Sequence, residues 1–319
     1  MPVSLLIRYT PGPTIEVAPA VLGARSALRD AAADLLGVPD SALEAPWPWR
    51  DEEADVRYGF YRLIEALDEA GGAVGRALAE GHASGRSPAA PRIAAATVAR
   101  WDLHGLLAGL DADDFDADPG AGEWSIRQTL GHILTSQRAY GDFTAWWLAR
   151  SQDELFPPDV LPDDVTAASN LPDEPAPGSA AQIGARLDQL LDLAAGRLGG
   201  LDDAELARRA RWAGISVDVG FRLGRWSSHL VEHTLQVDKT LVVLGRTPRE
   251  VQRLVRLIHA GWGRVEALVF PMEPTALLGA GPGGQSAAAI VQALSADLRS
   301  IATSVRASAA VAPVGAAPA

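Results

Sequence analysis

A chain of 319 residues, 48% hydrophobic and 21% charged, has the composition of a globular protein and the length for one large domain or two ordinary ones. Forty acidic against 28 basic residues give a net charge of -12, so no basic excess exists to displace counterions and nucleic acid is not an expected partner. Cysteine is absent, which removes disulfides, thiolate nucleophiles and sulfur metal ligands together; any metal has to sit on His, Asp or Glu.

The N-terminal "MPVSLLIRYTPGPTIE" offers too short an apolar run before Arg8 for a signal peptide, and no later window approaches the ~20 apolar residues of a membrane span. The expectation is a soluble cytoplasmic protein with no membrane partner. Strand signals are confined to "SLLIRYT", "TIEVA" and "ISVDV". Elsewhere Ala, Leu and Arg dominate and apolar residues recur at three- and four-residue spacing, so the fold class is all-α. The spacing predicts helices over 20–36, 51–81, 91–110, 124–151, 178–200, 221–245, 248–268 and 284–306. Proline and glycine clusters separate them, among them "APWPW", "ADPGAGE", "FPPDVLPDD" and "GAGPGGQ". Ser179, three residues before Gln182, makes a capping box at the start of the fifth helix. The alanine-rich end, "AAVAPVGAAPA", lacks the bulk to pack and reads as a tail. No internal repeat is visible.

Helices 91–110, 124–151, 178–200 and 221–245 are four consecutive amphipathic segments, enough for a bundle whose interior holds a site. The last of them, "RWSSHLVEHTLQVDKTLVVLG", carries a polar row. At 100° per residue Arg225, His229, His233, Gln236 and Thr240 fall within roughly 80° of arc, flanked by Trp226, Leu230 and Val237 on one side and Val231, Leu235 and Val242 on the other. A polar stripe between apolar surfaces needs partners, and a metal ion satisfies two imidazoles one turn apart. Six histidines in this length yield roughly 0.1 such pairs by chance, so a pair of core histidines bonded to side chains and water stays open as the alternative. His132, in "WSIRQTLGHILTSQ", lies at the border of its helix's apolar stripe beside Ser136 and Phe143 and is the candidate third ligand.

The remaining conspicuous residues read as structural. Trp101, Trp146 and Trp147 suit packing or pocket lining. "DADDFDAD" lacks the Gly and the closing Glu of a calcium loop and reads as a solvated loop. His82, His104 and His259 have no partner at ligand spacing.

"LAGLDADDFDADPGAGEWSIRQTLGHIL", followed about a hundred residues later by "HLVEHTLQVDKTLVVLG", resembles the DinB/YfiT-like superfamily of metalloenzymes. The likeness spans about residues 91 to 248 and rests on Trp124, Ser125, His132, His229, His233, Gln236 and Leu244-Gly245. It implies an up-down-down-up four-helix bundle over 91–248; outside the likeness, the helical patterns make 1–90 and 249–306 helical extensions, and the composition makes 307–319 a flexible tail. It implies further that His132, His229 and His233 bind a divalent metal, zinc or nickel foremost, manganese or iron otherwise. The activities it brings are thiol-dependent isomerisation, as in mycothiol-dependent maleylpyruvate isomerase, and transfer to thiols, with mycothiol the favoured cofactor. A related bundle of the ergothioneine sulfoxide synthases has His-x-x-x-His-x-Glu, and Leu235 stands here in place of the Glu, which counts against that reaction.

The sequence thus predicts a metal-dependent transferase, isomerase or hydrolase acting on a small molecule. Arg225, and more weakly Arg222, would anchor a carboxylate through the planar guanidinium, the usual alternative, favoured for Arg222, being a surface salt bridge. Gln236 would orient a ligand or an imidazole, Glu232 is a candidate base, and Trp124 and Trp226 would line the pocket. The rival reading is a noncatalytic metal- or ligand-binding bundle. For the flanking helices, packing against the bundle, covering a metal mouth and mediating a homodimer are all open.

Overall fold

A computed structural model describes residues 8–10, 14–80, 87–150, 163, 174–280 and 284–311. It is mostly helical. The helices are α1 (Pro19–Leu36), α2 (Val56–Glu80), α3 (Ala90–Ala108), α4 (Ile126–Ala149), α5 (Ala180–Leu198), a single turn α6 (Asp203–Leu206), α7 (Val219–Val243), α8 (Glu250–Val269) and α9 (Ala287–Val311). Two antiparallel hairpins accompany them, β1 (Pro46–Trp49) with β2 (Glu52–Asp55) and β3 (Arg209–Trp212) with β4 (Ile215–Asp218). No helix among the described residues is long and apolar enough to cross a membrane.

α3, α7, α4 and α5 pack in that order around a closed ring, and side-chain pairs give their directions. His104 and Arg100 of α3 meet Asp188 and Asp192 of α5, so these two run oppositely. Arg127 at the start of α4 bonds the Ala176 and Gly178 carbonyls just before α5, so α4 and α5 start at the same end. Thr240 of α7 bonds the Trp124 carbonyl while Arg222 bonds Thr144, so α7 runs against α4. In chain order α3, α4, α5 and α7 are therefore up, down, down, up. The parallel step from α4 to α5 puts the end of α4 and the start of α5 at opposite ends of the bundle.

The flanking helices make a second ring, α1, α9, α2 and α8. Arg299 and Arg306 of α9 pair with Asp30 and Asp34 of α1, so these run together. Arg57 and Asp68 of α2 pair with Glu250 and Arg264 of α8, a second parallel pair. Arg25 of α1 meets Glu266 of α8 while Arg249 reaches the Leu36 and Val38 carbonyls, so α1 opposes α8. Again the order is up, down, down, up. The inner bundle, α3 to α7, is inserted into the crossover between α2 and α8 of the outer one. The two join where α8 packs along α3, helped by Gly105, whose added Cβ would lie 2.9 Å from the Arg256 backbone, and by Gly263, where it would meet Trp101 at the same distance.

The outer core runs continuously through Leu28, Leu35, Phe60, Leu67, Val255, Trp262, Leu298 and Val305. The inner core is divided. One cluster contains Tyr140, Trp146, Trp147, Leu198, Leu223 and Trp226, the other Leu103, Leu130, Ile133, Ile183, Leu187, Leu230 and Val237. Trp101, Trp146 and Trp147 are all buried packing residues.

Several local expectations change. "TIEVA" is irregular chain leading into α1, not a strand. The segment predicted as helix from 51 begins with β2, and α2 starts at Val56. β1 escaped detection because Pro46 and Pro48 read as breakers, yet both prolines occupy one parity of an isolated two-stranded ribbon, where alternate N–H groups face away from the partner. Trp47 then donates its indole N–H to Ser304 Oγ, 2.9 Å, tying the hairpin to α9. β3 and β4 turn through Ala213 (φ 47) and Gly214 (φ 78), the pair of positive φ values of a tight hairpin. α9 continues to Val311, beyond the predicted end at 306. Within "DADDFDAD", Asp114 is buried and accepts from Arg246, and Asp116 accepts from Arg127, so ion pairs pin this loop. His82, all of "FPPDVLPDD" but Asp163, most of "SLLIRYT" and the last eight residues lie outside the described residues.

Candidate metal centre

The phase of α4 is set at its first residue. Ser125 accepts from the Gln128 N–H while the Gln128 side chain accepts from the Ser125 N–H, a reciprocal cap after the loop carrying Gly120 and Gly122 at positive φ. Starting there, His132, Ser136 and Tyr140 recur every four residues on the face toward α7. α7 is fixed in the same way by Asp218, whose carboxylate accepts from the Phe221 N–H directly after the β3–β4 hairpin. That cap aims His229 and His233 at α4.

The three rings converge through their Nε2 atoms. His229 Nε2 lies 3.2 Å from His132 Nε2 and 3.1 Å from His233 Nε2, and all three ligand atoms fall within 4.8 Å of one another. His229 is buried and the other two are half-buried. Burial, and secondarily the neighbouring His233 and His132 rings and Arg225, push the His229 imidazole down to about 3. Burial also lowers His233, against a hydrogen bond with Gln236 that favours its charged form. Near neutrality these two rings therefore carry no charge. Gln236 Oε1 accepts from His233 Nδ1 at 2.7 Å, which leaves His233 Nε2 as the bare nitrogen. His229 Nδ1 is buried with no partner among the described residues.

These residues fit a divalent cation. Imidazole nitrogens about 2.0–2.1 Å from a tetrahedral ion stand about 3.3 Å apart, close to the two separations found. Three imidazole nitrogens leave at least one position open, the arrangement of catalytic rather than closed sites.

Around the triad the expected residues separate into those brought to it and those drawn elsewhere. Trp124, partly exposed, lies against His132 with ring centroids 5.2 Å apart. Arg225 donates to Glu232 at 3.0 Å and to Ser228 Oγ at 2.9 Å, and its guanidinium sits 4.9 Å over the Trp212 ring. Burial opposes the Arg225 charge, but hydrogen bonds to Tyr140 and Glu232 raise it above its ordinary value. The Glu232 side chain is 58% exposed. Arg222 forms no surface salt bridge: it is buried, donates to Thr144 Oγ1 (3.0 Å) and the Arg211 carbonyl, and is pushed by burial down to about 10, still charged at neutral pH. Trp226 lies in the core, its indole N–H unpartnered among the described residues, beside an internal void of about 10 Å³ shared with Ile93, Thr97 and Leu191.

Sequence reasoning gave Tyr140 and Trp212 no site role. The Tyr140 ring stands edge-on to His229 with centroids 5.4 Å apart, and its hydroxyl accepts from Trp212 Nε1 at 3.2 Å. The signal for Tyr140 was present, two helical turns after His132. Nothing local pointed to Trp212, whose strand was not recognised.

Residues 95–237, from within α3 to within α7, match the family model of the DinB superfamily. No curated protein and no solved structure matches the chain.

Proposed function

We propose, from the match of residues 95–237 to the family model of the DinB superfamily, that this chain is a metal-dependent enzyme acting on a small molecule at His132, His229 and His233. The observation that carries the proposal is the convergence of three Nε2 atoms at separations of 3.1 and 3.2 Å in a half-buried site. Zinc or nickel is the first choice of metal, and manganese or iron the next. A divalent ion there supplies Lewis acidity, lowering the pKa of a bound water or thiol and polarising a carbonyl.

The chain's own groups divide the remaining tasks. Gln236 holds the His233 tautomer through Nδ1. Arg225, fixed between Glu232, Tyr140 and the Trp212 ring, offers a planar fork to a carboxylate of substrate or cofactor. Buried Arg222 adds positive potential behind Tyr140. Glu232 positions Arg225 and is the carboxylate able to take up a proton beside it. Trp124 shields the His132 side of the triad. With no cysteine in the chain, the nucleophile is water or an external thiol. Transfer to, or isomerisation by, a thiol such as mycothiol is our first reading, and hydrolysis the second.

The test is metal content by plasma mass spectrometry on protein purified without added metal. Near-stoichiometric metal in the wild type, lost in His229→Ala, is the expected result. Metal-free protein whose melting temperature ignores added zinc and nickel would leave a noncatalytic bundle. For the thiol, mycothiol but not glutathione should raise the melting temperature of the metal-loaded protein; equal or absent responses would remove the thiol branch and favour hydrolysis.

A further inference from the structure

Away from the triad, α1 of the outer bundle and α5 of the inner one lean on α3 and α8 and leave a groove of about 640 Å³ between them. That is the size of a small-molecule site. Its walls are Leu22, Ala33 and Leu36 on one side and Ala181, Gly184 and Ala185 on the other, and Trp101, His104 and His259 form the floor.

The charges at this floor satisfy one another. Glu266, fully buried, accepts from Arg25, Arg100 and both the Trp101 and Trp262 indoles. Asp192 accepts from Arg25 and Arg100, and Asp188 from Arg29 at 2.5 Å. Burial works against these charges, yet the carboxylates raise Arg25 and Arg100 while His104 and the arginines hold Asp188 well below the usual carboxylate range. A charged ligand therefore finds no unmatched counter-charge.

One of the two imidazoles at the floor keeps an acceptor. His104 is committed to the Asp188 carboxylate through Nε2 at 2.9 Å, and its Nδ1 edge packs beside Gly184, where an added Cβ would stand 3.1 Å away. His259, 3% exposed, donates Nδ1–H to the Val255 carbonyl at 2.9 Å, and burial pushes it down to about 4, so its Nε2 is a bare acceptor at neutral pH. Both rings flank Trp101, with centroids 5.0 and 6.1 Å from it. The groove thus combines apolar walls, an aromatic floor, balanced charge and one imidazole acceptor, His259 Nε2.

We propose that this inter-bundle groove is a second ligand site, separate from the histidine triad, for an uncharged and largely apolar small molecule that donates a hydroxyl or N–H to His259 Nε2. The probes are 2-naphthol, its methyl ether and 2-naphthalenesulfonate, titrated into the full chain by ligand-observed NMR. Saturable binding of 2-naphthol is expected, weakened about tenfold on methylation of the hydroxyl, the loss of one buried hydrogen bond, and absent for the sulfonate. Ala185→Trp, on an exposed part of the wall, should abolish binding by filling the groove without touching the core, whereas His229→Ala should leave it unchanged. The proposal is overturned if 2-naphthol fails to bind, if its ether binds as tightly, if Ala185→Trp retains binding, or if His229→Ala removes it.

Discussion

The inner and outer bundles share one topology and differ in what their second and fourth helices carry. α4 and α7 of the inner bundle bring three histidines together, whereas their counterparts α2 and α9 contain none. Between α2 and α9 the contact is Gly59 against Val305 under Trp47, within a core of aliphatic and aromatic residues. Between α4 and α7 lie His132, His229, Gln137, Thr144 and Arg222, which separate the apolar core into two clusters. The same arrangement of helices thus makes a site in one case and a scaffold in the other. The chemistry belongs to the residues placed on the fold, not to the fold.

The sharpest way to break this comparison is at the joint. Glu266→Ala leaves Arg25 and Arg100 buried without their shared carboxylate, and should cost about 3–5 kcal/mol, read as a lower midpoint in urea unfolding. A loss below about 1 kcal/mol would show the two bundles to be held by apolar packing alone.

A change of similar size inside the outer core should spare the site. Phe60→Ala, fully buried on α2, is expected to cost about 3–5 kcal/mol while metal stoichiometry under native conditions stays at the wild-type value. Coupled loss of metal would mean that the scaffold shapes the centre. Conversely, removing metal with a chelator should lower the melting temperature of the wild type and leave His132→Ala, already without its third ligand, unmoved. At a free metal concentration a hundredfold above Kd the linkage is worth about 2.7 kcal/mol.

Acidity gives a smaller effect. His259 is held at about 4 against an ordinary 6.5, so between these values the unfolded chain takes up a proton that the folded chain refuses. Its contribution to stability is complete above 6.5 and is lost as the pH falls toward 4. His259→Asn should flatten the decline in melting temperature over that range, compared at matched pH with the wild type. The smallest effect belongs to a cap. Ser179→Ala removes the acceptor for the Gln182 N–H and should cost about 1 kcal/mol, measured by denaturant titration, without changing metal content.

Much of the inner bundle was legible because its signals are local. The His229–His233 spacing, the Ser-x-x-Gln cap at 179 and the leucine-rich helix faces each lie within a few turns of one helix. What escaped depends on partners far along the chain. His104 meets Asp188 across 84 residues and Arg25 meets Glu266 across 241, and no spacing rule joins them. The burial of Arg222 followed from a hairpin whose first strand, "RARW", alternates charged and apolar residues over four positions only, the shortest run that can signal a strand. An amphipathic helix shows which face it buries and not against what, which is why the flanking helices could not be assembled from sequence into one bundle.

Insertion of one bundle in the crossover of the other also orders events during synthesis. α2 ends at Glu80 and α8 begins at Glu250, so at about 5–20 residues per second the first two outer helices wait on the order of 10–30 s for their partners. During that interval the ribosome delivers every helix of the inner bundle. α1 and α2 meanwhile keep Leu28, Leu35, Phe60 and Leu67 without the α8 and α9 side chains that cover them. The nascent chain is thus most open to aggregation or chaperone capture at its beginning, and the last helices to emerge close the part that was made first.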